Sequence, residues 1–169
     1  TIRHLLVQGI AGKRGNLVSI QDMDRLLNGV AWERPTQELI AKELRIPFED
    51  VFEAARMISG KLSNQNVRHA FSSYFAGSQY TGQSVRFDSV QMYLDPNKID
   101  DIDELIGHGS KEHDMVLQVM APDRDLFKDA RLIGGVTVTS PSQTLLDLAG
   151  LGYKGRDLTK AIVSIYGQL

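Results

Sequence analysis

Two largely apolar runs, Arg3–Ile10 and Asn16–Ile20, flank a Gly-rich basic stretch, Ala11-Gly12-Lys13-Arg14-Gly15. Two apolar runs around such a stretch predict a β-hairpin over Arg3–Ile20 with Lys13 and Arg14 at its tip. Asp22 is placed to cap a short helix through Leu27, stopped at Asn28-Gly29, and Thr36 to cap a second over Thr36–Arg45 with Ile40, Ala41 and Leu44 on one face. Pro47, followed by Glu49-Asp50, predicts a helix whose Val51, Ala54, Ala55 and Ile58 recur at helical spacing, with Gly60 as its stop. A further apolar-faced helix is expected from Asn64 or Asn66 to about Gly77, carrying Val67, Ala70, Phe71, Tyr74 and Phe75.

Past Gly82 the period changes. Ser89-Val90-Gln91-Met92-Tyr93-Leu94 reads as a strand closed by an Asp95-Pro96-Asn97 turn, and Asp100–Ile106 as a short helix with acids in its first turn. Met115–Met120 and Gly134–Val138 are two more strands. Thr139-Ser140-Pro141 starts a helix bearing Leu145, Leu146 and Leu148, ended by Gly150 and Gly152, and a last helix runs from about Gly155 to Tyr166. The expected class is α/β (α+β): a small mixed sheet with helices packed on it, preceded by a β-hairpin and helices. The division is a hairpin over residues 1–21 and an α/β body over 22–169.

Composition narrows the function classes. The 169 residues are 42% apolar and 24% charged, which supports a packed core and excludes fibrous and wholly disordered chains. Without cysteine there is no disulfide, thiolate metal site or cysteine nucleophile, and a cytoplasmic location is expected. No apolar run approaches the ~20 residues of a spanning helix, so no membrane is implied. A net charge of -2 means that contact with nucleic acid must come from a local basic patch. With Thr1 in place of an initiator Met, the chain is expected to be a fragment of a longer product.

Several constellations could carry chemistry. Gly77-Ser78, followed by Asp88 at a strand entry, resembles the nucleotidyltransferase arrangement in which a Gly-Ser turn holds a triphosphate and two carboxylates on one strand face bind metals. Asp88-Ser89-Val90 supplies one carboxylate only, and the alternative is that Gly77 ends a helix while Asp88 faces solvent. Ile40, Ala41, Leu44, Ile46 and Val51 have a spacing compatible with a helix-turn-helix, but the second helix would lead with Glu49, Asp50 and Glu53 toward phosphates. Ordinary helix packing is the alternative. Lys13 and Arg14 suit either the DNA-contacting tip of a winged helix or a solvated turn. His108 and His113, beside Glu112 and Asp114, match no zinc spacing, and His69 is expected at a helix edge. Neither metal nor cofactor is implied.

The segment from Val138 to Asp157 is the most distinctive. Ser140 and Pro141 cap a helix on which Gln143 and Asp147 lie four apart on one face, with Arg156 beyond the next turn. That geometry lets Asp147 pair with Arg156 as a brace between the last two helices. A strand, a Ser-Pro-x-Gln start, a Leu-Leu-Asp-Leu helix and a Gly-x-Arg turn resemble the C-terminal domain of AbiEi-type antitoxins. Ala70–Ser78 resembles that family's Leu-Thr-Gly-x-x-Ala-Ala helix, departing at Ser72-Ser73 and Ala76-Gly77; Met92-Tyr93-Leu94 and Val116–Pro122 resemble its following strands. The resemblance covers roughly Asp22 to Leu169.

It implies a degenerate nucleotidyltransferase-like body without catalysis and a winged helix-turn-helix that binds the operon's own promoter DNA. The functional partner would be a nucleotidyltransferase-like toxin in a type IV toxin–antitoxin system. The hairpin at 1–21 would then be the wing, with Lys13 and Arg14 toward DNA, and the recognition helix would lie before Thr1. The alternatives are a divergent nucleotidyltransferase that binds Mg-nucleotide through Gly77, Ser78 and Asp88, and a protein-interaction module.

Overall fold

Helix α1 (Ile2–Val7) leads into a hairpin of β1 (Ala11–Arg14) and β2 (Leu17–Ile20), whose register pairs Arg14 with Leu17 across a turn at Gly15-Asn16. Gly15 has φ +62°, the left-handed backbone that this tight turn needs and that glycine adopts without a Cβ penalty. The hairpin is therefore shorter than expected: residues 2–7 are helical, and Lys13 and Arg14 end β1 rather than forming the turn. The structure is a computed structural model that describes residues 2–83, 89–106 and 115–169.

Helix α2 (Met23–Glu33) begins where the Asp22 side chain accepts from Arg25 N at 2.9 Å, and it runs past Asn28-Gly29 to Glu33. A 3-10 turn (Thr36–Leu39) follows, then strand β3 (Ile40–Ile46). The helix expected over Thr36–Arg45 is thus a strand. Ala41, Glu43 and Arg45 are exposed while Ile40, Lys42, Leu44 and Ile46 turn inward, a period of two that pairing with a distant strand selects over local helical propensity. Ile40, Ala41, Leu44, Ile46 and Val51 accordingly form no helix-turn-helix.

Helix α3 (Val51–Asn64), capped by Asp50, passes through Gly60 without stopping. Strand β4 (His69–Phe71) and helix α4 (Ser73–Thr81) replace the single helix expected across Val67 to Gly77. The break is at Ser72-Ser73, where Ser73 has φ +52°. Asn66, also at positive φ, ends the preceding helical segment.

Next come β5 (Ser89–Leu94), α5 (Ile102–Ile106), β6 (Met115–Met120), β7 (Arg131–Ile133) and β8 (Val136–Val138), then α6 (Pro141–Gly150) and α7 (Arg156–Ile165). The strands β3 to β8 make one mixed sheet in the order β3-β6-β5-β4-β8-β7. The β5/β6 and β4/β8 pairs are parallel and the others antiparallel.

One face of the sheet packs Met92, Leu94, Leu117 and Val119 against Ile58 and Leu62 of α3 and Ile102 of α5. The other face carries a smaller cluster of Ala70, Tyr93, Met120 and Leu126. Leu148, Leu158 and Ile162 join α6 to α7 in a third cluster. Helix α4 lies against that pair at Gly77, where a Cβ would stand 3.1 Å from Leu158 Cδ1 and 3.2 Å from Leu148 Cδ1. The class is therefore α/β, with helices on a mixed sheet. No helix among the described residues is long and apolar enough to cross a membrane.

Candidate functional site

Two features stand out, a buried polar knot centred on Asp147 and an exposed helix–hairpin around Lys13 and Arg14. In the knot, Ser140 caps α6 by accepting from Gln143 N at 3.3 Å, with Pro141 at the first helical position. The i,i+4 spacing then lets Gln143 Nε2 donate to Asp147 Oδ1 at 2.9 Å. Tyr93 of β5 donates to Oδ1 at 2.7 Å, and Ser72, between β4 and α4, donates to Oδ2 at 2.5 Å. Arg34, just after α2, donates through Nη1 to Asp147 Oδ1 at 2.9 Å and through Nε to Asp123 Oδ2 at 2.8 Å. Its Nη2 reaches Tyr93 Oη at 3.0 Å. Thr36 adds a bond to the Asp147 carbonyl at 2.7 Å.

Asp147 is fully buried and the Arg34 side chain is 17% exposed. Burial pushes the Asp147 carboxyl up, and donation by Ser72 and Tyr93 together with the Arg34 charge opposes that push. Burial works against the Arg34 cation too, but its bond to Asp123 and the nearby Tyr93 and Asp147 hold it charged, with its pKa raised. Burial, reinforced by the Asp147 charge, pushes the Tyr93 phenol up and keeps it a donor. Four side chains, Ser72, Tyr93, Gln143 and Arg34, donate to the Asp147 carboxyl, which is closed to solvent, and so tie together the elements that carry them.

The Asp147–Arg156 pair expected from the sequence is not formed. Arg156 begins α7 at the surface, and Asp147 takes Arg34, which is 113 positions away. The sequence did carry half of the signal, because a carboxylate within Leu145-Leu146-Asp147-Leu148 must be paired if that face is buried. Which arginine pairs with it, and the parts of Ser72, Tyr93 and Asp123, follow only from the sheet topology.

Of the residues of the nucleotidyltransferase alternative, the structure describes Gly77 and Ser78. Gly77 and Ser78 lie inside α4, not in a turn, and Ser78 Oγ donates to the Phe75 carbonyl at 2.8 Å. Gly77 does not end its helix, which continues to Thr81 and is capped by Gly82. Asp88 lies outside the described residues. On the described part of β5, Ser89 and Gln91 alternate on one face with Tyr93. Gln91 Nε2 donates to Gln118 Oε1 at 2.9 Å, and Gln118 Nε2 to Glu43 Oε1 at 2.7 Å, a ladder of amides leading to a single carboxylate.

His69 is not at a helix edge. It is buried in β4, between Val67 O at 2.9 Å from Nδ1 and Ser59 Oγ at 2.8 Å from Nε2, and burial lowers its pKa against that carbonyl bond. Residues 107–114, which include His108 and His113, lie outside the described residues.

The helix–hairpin is built differently. Ile10 and Ala11 are buried at its base, where Ile10 O accepts from Gln21 N at 2.8 Å and Asp22 N at 3.2 Å. From Lys13 to Ile20 every residue is exposed, including all four of β2. Lys13 and Arg14 therefore stand clear of the core, and Arg3 and His4 are exposed on α1.

No family model matches the chain, and no curated protein matches it. Among solved structures it is similar to the crystal structure of ANT(2")-Ia in complex with adenylyl-2"-tobramycin. That likeness has 12% sequence identity, covers 69% of this chain and 99% of the other, and has a TM-score of 0.42, too slight to carry an argument about function.

Proposed function

We propose that the chain is a non-enzymatic, DNA-binding transcriptional regulator whose hairpin contacts the backbone of its own promoter. The observation that carries this reading is the projecting hairpin: Lys13 and Arg14 are the exposed end of a β1 whose Ala11 is buried at the base, β2 is exposed throughout, and α1 precedes both in the helix-then-hairpin order of a winged helix. A ribbon with no core of its own and two cations near its end is suited to phosphates. The α/β body serves as a rigid support. Its neutral Ser89 and Gln91, and the Gly77-Ser78 pair enclosed in α4, favour a body without metal-dependent catalysis.

In its finer form the reading is an AbiEi-like antitoxin opposing a nucleotidyltransferase-like toxin. Ser73 supports the resemblance, because the position at which that family prefers Gly has the positive φ that glycine accepts most easily.

The test is a fluorescence-anisotropy titration of the full-length gene product against its upstream promoter and a scrambled duplex at two salt concentrations. Promoter preference that weakens with salt is expected, and Lys13→Glu/Arg14→Glu should reduce the slope of log K against log salt by about 2. Equal or absent binding overturns the reading. Mg-dependent nucleotide binding that Asp88→Ala abolishes would put the enzyme alternative in its place.

A further inference from the structure

A cleft of about 600 Å³ lies where α1 and α2 meet the α/β body, a size within the usual range for small-molecule sites. Arg25 and Arg34 reach it from the α2 side and Arg124 from the loop after β6, with Glu33 as the carboxylate among the lining residues. Leu5, Leu26 and Leu146 give it apolar surface from three different elements.

The arginines differ in how far they are committed. Arg34 is tied by all three of its nitrogens to Asp123, Asp147 and Tyr93. Arg25 donates Nη1 to the Gln8 carbonyl at 3.0 Å, and Arg124 donates Nε to Gln143 Oε1 at 3.2 Å with the Asp123 carboxylate 3.8 Å from the same nitrogen, so that its Nη groups carry none of the described bonds. A guanidinium has five N–H groups, so the described bonds leave Arg25 and Arg124 with further donors beside the cleft.

We infer that this cleft binds a small organic anion, with a phosphate or carboxylate head held by Arg25 and Arg124 and an apolar body against Leu5, Leu26 and Leu146. Two forked cations select a compact anionic head, since paired N–H groups match its oxygens. The leucines select against an inorganic ion, which would leave their surface in water. The inference is independent of DNA binding, because it concerns the cleft and not the hairpin tip.

Isothermal titration of the full chain with phenyl phosphate, benzyl alcohol and inorganic phosphate tests it. Phenyl phosphate should bind one to one and at least ten-fold more tightly than either control, with amide shifts in a ¹⁵N-labelled sample concentrated at the cleft. Arg25→Gln and Arg124→Gln should each weaken it by about five-fold or more. Both residues are exposed, and thermal melts would show that the variants still fold. Absent binding, equal affinity for benzyl alcohol or inorganic phosphate, shifts remote from the cleft, or indifference to both substitutions would overturn the inference.

Discussion

Ser73 combines two costs at the first residue of α4. Its φ of +52° is unfavourable for a residue with a Cβ, and its buried Oγ has no hydrogen-bond partner among the described residues. Ser73→Gly removes both, so a gain of about 1 kcal/mol is expected, read as a higher urea midpoint at unchanged m-value. His69 sets a pH dependence. Its folded pKa is depressed by burial, so the unfolded chain takes up the proton first as pH falls. Its contribution to stability is full above about pH 6.5 and is lost as pH falls from there through the depressed folded value. Melting temperatures between pH 8 and pH 5 should therefore decline, and less steeply in His69→Gln; parallel declines would show that His69 is not the group responsible.

At the scale of elements, Arg34 is the fastening between α2 and the body. Arg34→Ala leaves Asp147 buried without its cation and should cost about 3 kcal/mol, whereas exposed Arg156→Ala should stay within about 0.5 kcal/mol. Chemical denaturation of both variants distinguishes this pairing from an Asp147–Arg156 brace. Glycines at the helix contacts give a second contrast. A Cβ at Gly155 would run into the backbone carbonyl of Leu148, while one at Gly77 would meet only leucine methyls that can shift. Gly155→Ala should lower the melting temperature more than Gly77→Ala.

The same elements explain what was legible in the sequence. Strands β5 and β6 and helices α3, α6 and α7 announce themselves through period, caps and turn residues, all of which are local. Strand β3 does not, because Ile40-Ala41-Lys42-Glu43-Leu44 suits either period and only β6 decides between them. The β4–α4 break was hidden for a similar reason: two serines carry a turn that a glycine would have advertised. Of the knot, Gln143 and Asp147 were visible as a local pair, and Arg34, Tyr93 and Ser72 were not, since they join it from distant parts of the chain.

For the whole molecule, a net charge of -2 makes the position of its cations matter more than their number. The basic hairpin stands away from the knot, so replacing Lys13 and Arg14 should alter DNA affinity and leave the melting temperature within about 2 °C. Anisotropy and melting on the same variant separate the two; a large fall in melting temperature would mean that the hairpin contributes to the fold.

Strand β4 sits between β5 and β8, and β8 comes from the last third of the chain. During synthesis, β4 and β5 can pair as soon as they leave the ribosome, but the other edge of β4 has no neighbour until Val136–Val138 emerges. Asp147, which fastens Arg34, Ser72 and Tyr93, emerges later still. The nascent chain therefore carries an open strand edge for much of its translation, the interval in which an unpaired edge recruits other chains or a chaperone. A ribosome stalled before β8 should present a protease-sensitive chain, and one stalled after α7 a resistant one.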